Sequence, residues 1–267
     1  VWVTESRSAI APLSSQGALA KNANLGFYFN ETYTEFDSAT DAIKHFDLSY
    51  IGLDMFVERG GNHQKKFILK PKSEDYSPFE LRHASSGIQT TAPLVAMVNY
   101  YAQAFDFKLA QKRSIIDLLF EKNLTMQYRP EMELADMPRY VHIHIEEPEL
   151  SLDPTSQIQL LNELVRLAFY AKVDDRQIGL VLATHSPYIA NSLNLLMKAH
   201  DCGTSIQGAH VAYDDLSVYQ IENGRVHCLK VKNMHYVNTD RLSEDINFIY
   251  DKYQELKSLQ NEKSFGE

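Results

Sequence analysis

Apolar and polar residues alternate along RYVHIHIE, residues 139–146. The apolar members of this alternation are Val141, Ile143 and Ile145. A period of two residues is typical of a strand with one buried face. We therefore predict a strand here, with His142 and His144 together on its other face. We favour a packing role for these two histidines over a metal site, because the sequence suggests no third ligand.

The next segments predict a helix and a second strand. Asp153 and Pro154 mark the start of the helix, since aspartate caps helices and proline fits the first helical position. Its apolar stripe comprises Ile158, Leu161, Leu164, Val165 and Ala168. The apolar run IGLVLAT, residues 178–184, is typical of a parallel strand covered on both faces. Strand, helix and strand in this order predict a right-handed βαβ unit and an α/β fold.

Weaker patterns precede this unit. Residues 50–69 predict two strands around a turn at Gly60 and Gly61. A helix with a serine cap is predicted from Ser86, in which Pro93 introduces a kink or marks a later start.

The C-terminal part begins after a polar segment at about 121–138. Asn223 and Gly224 occupy the two central positions of a predicted type I′ hairpin, where both residues need positive φ. Apolar residues recur at helical spacing from Leu242 to Leu256. We favour a closing helix that packs on the domain over a coiled coil, because the stripe covers only about two heptads.

The composition is that of a globular protein with one large or two small domains: 267 residues, 44% hydrophobic and 23% charged. A net charge of −9 argues against a chain that coats nucleic acid over its whole surface. The basic cluster consists of Lys65, Lys66, Lys70 and Lys72. For it we favour a solvated face over a nucleic-acid contact.

The sequence contains no apolar run long enough for a membrane span and no signal-peptide pattern. Cys202 and Cys228 lack the neighbouring cysteines of a zinc site or a disulfide framework. We expect both cysteines to be small buried side chains, and we expect a cytoplasmic location without a membrane partner.

Polar residues follow both predicted parallel strands. Glu146 and Glu147 end the first strand, and His185 follows the second. Carboxylates at a buried strand end are costly unless a cation lies nearby. Because adjacent parallel strands end at the same edge of a sheet, two carboxylates and an imidazole are expected to converge there. A Mg²⁺-nucleotide suits such a site, since one carboxylate would face the metal and the other would activate a water.

Three motifs resemble those of ABC-type ATPases in order and spacing. EEPELSLDP (146–154) resembles the Walker B motif and the D-loop, SSGIQ (85–89) is similar to the signature motif, and ATHSP (183–187) resembles the switch-histidine loop. The Glu-Glu-Pro-Glu form looks most like the SMC-like and OLD-like branch of DNA-maintenance and phage-defence proteins. The opening VWVTESRS is also similar to a segment of that branch. The resemblance is strong over 81–190.

The resemblance implies a P-loop NTPase-like ABC ATPase fold, a mostly parallel sheet flanked by helices, with ATP and Mg²⁺ as cofactors. By position, Glu146 would hold Mg²⁺, Glu147 would be the general base and His185 would contact the γ-phosphate. The residues that would contact a nucleotide bound by a second subunit are Ser85, Ser86, Gly87 and Gln89. Ser151 and Asp153 would lie in the D-loop, at the interface of a homodimer closed around ATP.

The motif G-x-x-x-x-G-K-[ST] of a P-loop does not occur, and GTSIQGAH (203–210) matches only its glycine spacing. The chain begins with Val1 rather than methionine. We therefore expect an incomplete fold, the distal portion of an ATPase whose P-loop lobe precedes Val1. The isolated chain is then predicted to be inactive.

The predicted parts are an N-terminal strand and loop region (1–80), a signature-motif helical region (81–138), and a Walker B, D-loop and switch-histidine region with a C-terminal hairpin and helix (139–267). The expected function is an ATP-hydrolysing head that acts on DNA or drives a nuclease partner. The alternative is a scaffold without a P-loop that completes the site of a partner ATPase.

Overall fold

The computed structural model describes residues 1–14, 26–60, 64–122, 140–173, 176–231, 234–240 and 244–264. These residues form two compact units. The first comprises Val1–Thr184 and Gln207–Ala209, and the second comprises His185–Ile206 and His210–Glu267. Three parts of the chain that the sequence-based predictions include lie outside the described residues: Gly61, the polar residues 123–138, and Leu242.

Within the described residues, the first unit contains seven strands and five α-helices. The strands are β1 (Trp2–Val3), β2 (His45–Leu48), β3 (Leu53–Arg59), β4 (Lys65–Pro71), β5 (Phe79–Glu80), β6 (Tyr140–Glu146) and β7 (Gln177–Ala183). The helices are α1 (Ile10–Ser14), α2 (Phe27–Ala42), α3 (Ser86–Gln103), α4 (Phe107–Glu121) and α5 (Pro154–Val165). A 3₁₀ turn spans Glu5–Ala9, and a π-helical turn at Arg166–Tyr170 extends α5.

The second unit contains two helices and four short strands in its described residues. The helices are α6 (Pro187–Asp201) and α7 (Glu244–Ser264). The strands are β8 (Tyr219–Glu222), β9 (Arg225–Cys228), β10 (Lys230–Val231) and β11 (Tyr236–Val237). No helix in the described part of the chain has the length and apolarity needed to cross a membrane.

A parallel sheet of order β1-β6-β7 confirms the predicted strand, helix and strand, so the first unit is α/β with a parallel sheet flanked by helices. Ile143 and Ile145 are buried, as the alternation predicts. Asp153 caps α5 as expected, and its carboxylate accepts hydrogen bonds from the backbone N–H groups of Thr155 and Ser156. The carboxyl ends of β6 and β7 are adjacent, since Glu146 pairs with Ala183.

Among the described residues, one face of this sheet is largely uncovered, which contradicts the prediction that the second strand is covered on both faces. β7 is an edge strand, and Val181 is 44% exposed. Trp2 is 53% exposed on the same face and stacks on the ring of His144 at a centroid distance of 4.4 Å. An apolar run alone therefore did not distinguish a central strand from an edge strand.

The strands predicted within 50–69 form a hairpin, and they belong to an antiparallel sheet of order β2-β3-β4-β5. Its inner face is apolar, with Met55 and Leu69 fully buried. Its outer face is charged, and side chains on this face contact one another. Lys72 pairs with Asp47 at 2.9 Å, and Lys70 lies 4.2 Å from the ring centroid of Phe56. These contacts agree with a solvated face for Lys70 and Lys72. The prediction is wrong for Lys65, which is only 14% exposed and pairs with Asp37 of α2 at 2.8 Å.

Helix α3 starts at Ser86, and the residue that caps it is Ser85, whose hydroxyl accepts from the N–H of Ile88 at 3.4 Å. The helix continues through Pro93, so the later start considered for it is wrong. Most of α3 is buried, and its apolar residues join the core with those of α5 and β6.

In the second unit, Asn223 and Gly224 both have positive φ, which confirms the predicted hairpin turn. The prediction that the closing helix packs on the domain is wrong for its described side chains, because five apolar residues of α7 are each more than 60% exposed. These residues are Phe248, Ile249, Tyr250, Tyr253 and Leu256. Cys202 and Cys228 are exposed rather than buried.

Candidate functional site

The candidate site begins where β6 ends. Glu146 is the last residue of the strand and is half-buried. Glu147 has φ of 43°, in the left-handed region that residues with side chains seldom occupy. Its N–H donates to the carbonyl of Ala183 at 2.8 Å, which fixes the departure of the chain beside the end of β7. The residues that follow, 147–152, are here called the acidic loop.

Backbone hydrogen bonds fold the acidic loop tightly. The N–H of Leu150 donates to the carbonyl of Glu147 at 3.0 Å, and the N–H of Leu152 donates to the carbonyl of Glu149 at 3.0 Å. Ser151 has φ of 62°, a second left-handed residue. The loop therefore has a defined conformation that brings the chain from β6 to the cap of α5.

Arg7 is a buried cation near these carboxylates, where the sequence analysis expected a Mg²⁺-nucleotide instead. Its side chain is fully buried in the 3₁₀ turn after β1. Because β1 runs parallel to β6, this turn lies at the same edge of the sheet as Glu146. One terminal nitrogen, Nη1, donates to the carbonyls of Thr4 at 3.0 Å and Glu146 at 2.7 Å, and Nη2 donates to the carbonyl of Glu147.

The electrostatics of Arg7 are set by two opposing effects. Burial lowers the pKa of Arg7 to about 10, whereas the charges of Glu149, Glu147 and Glu146 raise it. The guanidinium is therefore still charged at neutral pH. Its Nη1 and Nη2 groups donate to carbonyl oxygens, and no described side chain donates a hydrogen bond to the carboxylates of Glu146 or Glu147.

The start of α3 packs against the acidic loop. A Cβ atom on Gly87 would lie 2.8 Å from the carbonyl oxygen of Ser151 and 2.9 Å from Cδ2 of Leu152, so only glycine allows this approach. The hydroxyl of Thr90 donates to the carbonyl of Leu150 at 3.0 Å. The SSGIQ and EEPELSLDP motifs, which lie far apart in sequence, are thus in direct contact.

The predicted nucleotide contacts at this helix differ in how accessible they are. Ser85 and Ser86 are exposed at the N-terminus of α3, while Gly87 is buried against the loop. The side-chain amide of Gln89 donates to the carbonyls of Arg82 at 3.0 Å and Ala84 at 2.8 Å. Gln89 therefore closes the turn before the helix, and the exposed serines are the groups that face solvent.

The other predicted site residues lie on either side of the two-unit boundary. Asp153 is exposed, and hydrogen bonds from Ser156 and Thr155 hold the pKa of its carboxyl below the usual range. His185 is the first residue of the second unit and is exposed, directly before Ser186, the cap of α6. The convergence of His185 with Glu147 stays a prediction.

The carboxylates suit a hard cation. Glu146 and Glu147 supply oxygen ligands at the edge of a parallel sheet, where ligands of α/β proteins bind. Among the described residues, no group of three or more histidine, cysteine, aspartate or glutamate side chains forms a metal cluster. Such a cluster is not needed for Mg²⁺, which is often held by one or two carboxylates together with phosphates and water.

Sequence reasoning did not identify Arg7 and Thr90 as parts of the site. Arg7 stands alone in VWVTESRS, and only the pairing of the two-residue strand β1 with β6 brings it to the acidic loop. Such a short strand has no readable periodicity. Thr90 follows SSGIQ directly, so its proximity to the motif was the available signal.

No protein-family model matches this chain, and no curated protein matches it in sequence. The functional assignment therefore depends on the motifs and on the geometry described above.

Proposed function

We propose that these residues belong to an ABC-type ATPase head of the SMC-like and OLD-like branch. The observation that supports this most directly is the packing of the SSGIQ helix start on the acidic loop, through Gly87 and Thr90. Two motifs of the resemblance are about sixty residues apart in sequence and meet at one edge of a parallel sheet. A chance match of either motif alone would not require this contact.

Each carboxylate of the strand end has its own proposed role. Glu146 would contact Mg²⁺, which when bound with ATP neutralises phosphate charge. Glu147 accepts a proton from the attacking water and orients it, which is the work of a general base. His185 is proposed to contact the γ-phosphate.

The exposed start of α3 is proposed to serve a nucleotide held by a second copy. Ser85 and Ser86 offer hydroxyl groups there, and the N-terminus of an 18-residue helix favours an anion. ATP would then hold two heads together as a homodimer, with Ser151 and Asp153 at the interface. Because the chain contains no G-x-x-x-x-G-K-[ST], another segment or another polypeptide supplies the P-loop. The motion of the heads would act on DNA or on a nuclease partner.

The decisive experiment measures ATP turnover by the natural protein that contains these residues. We expect Glu147→Gln to lower kcat by about 10²- to 10⁴-fold, because the general base is lost. ATP-bound dimers should accumulate in this variant. Glu58→Gln, on the exposed part of β3, is the matched control and should keep the activity of the wild type. Undiminished turnover by Glu147→Gln contradicts the proposal.

The isolated 267-residue chain is expected to be inactive, since it lacks the P-loop motif. ATP turnover by a partner ATPase distinguishes the scaffold alternative from the ATPase proposal. The exposure of Ser85 and Ser86 also favours a scaffold, because a scaffold needs only the exposed start of α3. In a scaffold, Ser86→Arg would abolish stimulation of a partner ATPase, while Glu147→Gln would stimulate it as well as the wild type.

A further inference from the structure

We propose that Arg7 is a positioning residue that holds the backbone of Glu147, and thereby directs the Glu147 carboxylate for ATP hydrolysis. This inference rests on the proposed function for its catalytic consequence, whereas the backbone contacts that carry it are independent of any nucleotide. The three donor contacts of Arg7 all end on main-chain oxygens of Thr4, Glu146 and Glu147.

Contacts with Thr4 fix the position of Arg7 next to the acidic loop. Its backbone N–H donates to the carbonyl of Thr4 at 3.2 Å, and its Nη1 donates to the same carbonyl at 3.0 Å. Its side chain has no exposed surface, so the guanidinium has little freedom to move. A planar group with several fixed donors is suited to bridging two successive carbonyls, which a lysine ammonium does less well.

Hydrogen bonds fix both the N–H and the carbonyl group of Glu147. Its N–H is bonded to the carbonyl of Ala183, and its carbonyl accepts from both Nη2 of Arg7 and the N–H of Leu150. With both peptide groups fixed, φ of Glu147 stays at 43° although this region is unfavourable for glutamate. The direction of the Cα–Cβ bond follows from the backbone, so loss of the Arg7 contacts should let the carboxylate turn away.

The positive charge of Arg7 and its hydrogen-bond donors act on different groups. Three glutamates of the strand end and the acidic loop attract the guanidinium electrostatically. Its N–H groups nevertheless bind carbonyls, so the carboxylates of Glu146 and Glu147 keep their oxygens for other ligands. Arg7 thus compensates charge and fixes the backbone without occupying the oxygens that would contact Mg²⁺ or water.

The first test measures backbone amide hydrogen exchange in the chain carrying Arg7→Met. We expect exchange at Leu150 and Leu152 to rise about tenfold or more, because the loop that orders these amides is released. Amides within β6 should change by less than about twofold if the sheet itself is intact. Unchanged protection of both leucine amides in the folded variant overturns the proposal.

The matched control is Arg176→Met. Arg176 is another buried arginine, and its Nη1 donates to the carbonyl of Tyr101 at 2.9 Å. This variant loses a comparable group at a different place, so exchange at Leu150 and Leu152 should stay as in the wild type. Faster exchange of these amides in the control as well would mean general destabilisation and would overturn a specific role for Arg7.

Arg7→Lys keeps the proposal testable if Arg7→Met does not fold. The lysine retains the charge but cannot reproduce the fork that spans two carbonyls. We expect its exchange at Leu150 and Leu152 to rise less than with methionine but to exceed that of the wild type. Wild-type protection in Arg7→Lys would show that charge alone suffices, and it would overturn the positioning role.

The second test separates positioning from simple stabilisation. In the natural protein, Arg7→Lys should lower kcat by about tenfold or more and leave KM for ATP within about twofold, because a displaced base slows the reaction without weakening nucleotide binding. An unchanged kcat with altered exchange overturns the catalytic consequence. If the wild-type protein shows no ATP turnover, the proposed function fails, and the exchange measurement still decides whether Arg7 holds Glu147.

Discussion

The outer face of the antiparallel sheet and the acidic loop are both rich in charge, but they neutralise it in different ways. On the sheet, acidic and basic side chains pair directly: Lys72 with Asp47 at 2.9 Å and with Asp54 at 3.8 Å. At the end of β6, the nearest buried cation is Arg7, and its donors bind main-chain oxygens.

This difference separates charges that complete the fold from charges that remain available. A carboxylate in an ion pair has a partner from its own chain, and its oxygens are occupied. The carboxylates of Glu146 and Glu147 have no such donor among the described side chains, although they lie in a half-buried position. The oxygens of Glu146 and Glu147 are therefore not occupied by described side chains, unlike those of Asp47 on the sheet.

The two regions also differ in what holds them together. The antiparallel sheet combines a buried apolar face with a ladder of strand hydrogen bonds. The acidic loop is short and irregular, and it is held by Arg7 on one side and by the start of α3 on the other. Close packing and backbone bonds should therefore dominate its stability, and ion pairs should matter little.

The largest expected effect on stability comes from Gly87→Ala. The added methyl group would lie 2.8 Å from the carbonyl oxygen of Ser151, so the loop or α3 must shift. We expect the free energy of unfolding, measured by urea denaturation, to fall by about 1–3 kcal/mol. The control is Gly60→Ala directly after β3, where the methyl would make ordinary contacts with the flexible side chain of Lys66 at 3.4 Å and the carbonyl oxygen of Gln64 at 3.6 Å. Equal effects of the two variants would contradict the packing described for the loop.

Local sequence patterns predicted the elements on which this comparison depends. Alternation identified β6, an aspartate-proline pair identified the start of α5, and the hairpin of β3 and β4 followed from its own residues. Each of these patterns involves only a few neighbouring residues, so it can be recognised in a single sequence. The strand-end carboxylates were predicted for the same reason, because they adjoin β6.

The features that the sequence did not predict depend on contacts between distant segments. The exposed face of β7 reflects the absence of a covering layer among the described residues, since Trp2 of β1 is exposed on the same face. The role of Arg7 follows from the pairing of Val3 with Ile145, across more than one hundred residues. No local pattern encodes either fact. The exposure of α7 likewise reflects the absence of a covering surface in the described residues, which an amphipathic pattern does not reveal.

A direct comparison of carboxylates contrasts an ion pair between α2 and β4 with the acidic loop. Asp37 accepts from Lys65 at 2.8 Å, and the lysine side chain is only 14% exposed. We expect Asp37→Asn to lower the free energy of unfolding by about 1 kcal/mol, because a charge-assisted hydrogen bond in a partly buried place is weakened.

The corresponding change in the acidic loop is Glu147→Gln. We expect it to alter the free energy of unfolding by less than about 0.5 kcal/mol, as is usual for a side chain without an internal partner. Both variants keep the shape of the side chain, so each is the control for the other in urea denaturation. A larger loss for Glu147→Gln than for Asp37→Asn would mean that the loop carboxylate supports the fold.

The smallest expected effect concerns the acid sensitivity of the sheet. Burial opposes ionisation of Asp47, but hydrogen bonds from Ser49 and Lys72 outweigh it and lower the pKa of its carboxyl. A carboxyl group whose pKa is lower in the folded state stabilises the fold above its unfolded pKa of about 3.9, and this contribution is lost as the pH falls through the folded pKa. Asp47→Asn should therefore flatten the loss of stability below about pH 4, measured by urea denaturation. A loss of stability below pH 4 as steep in Asp47→Asn as in the wild type would show that the contacts of Asp47 do not contribute in this way.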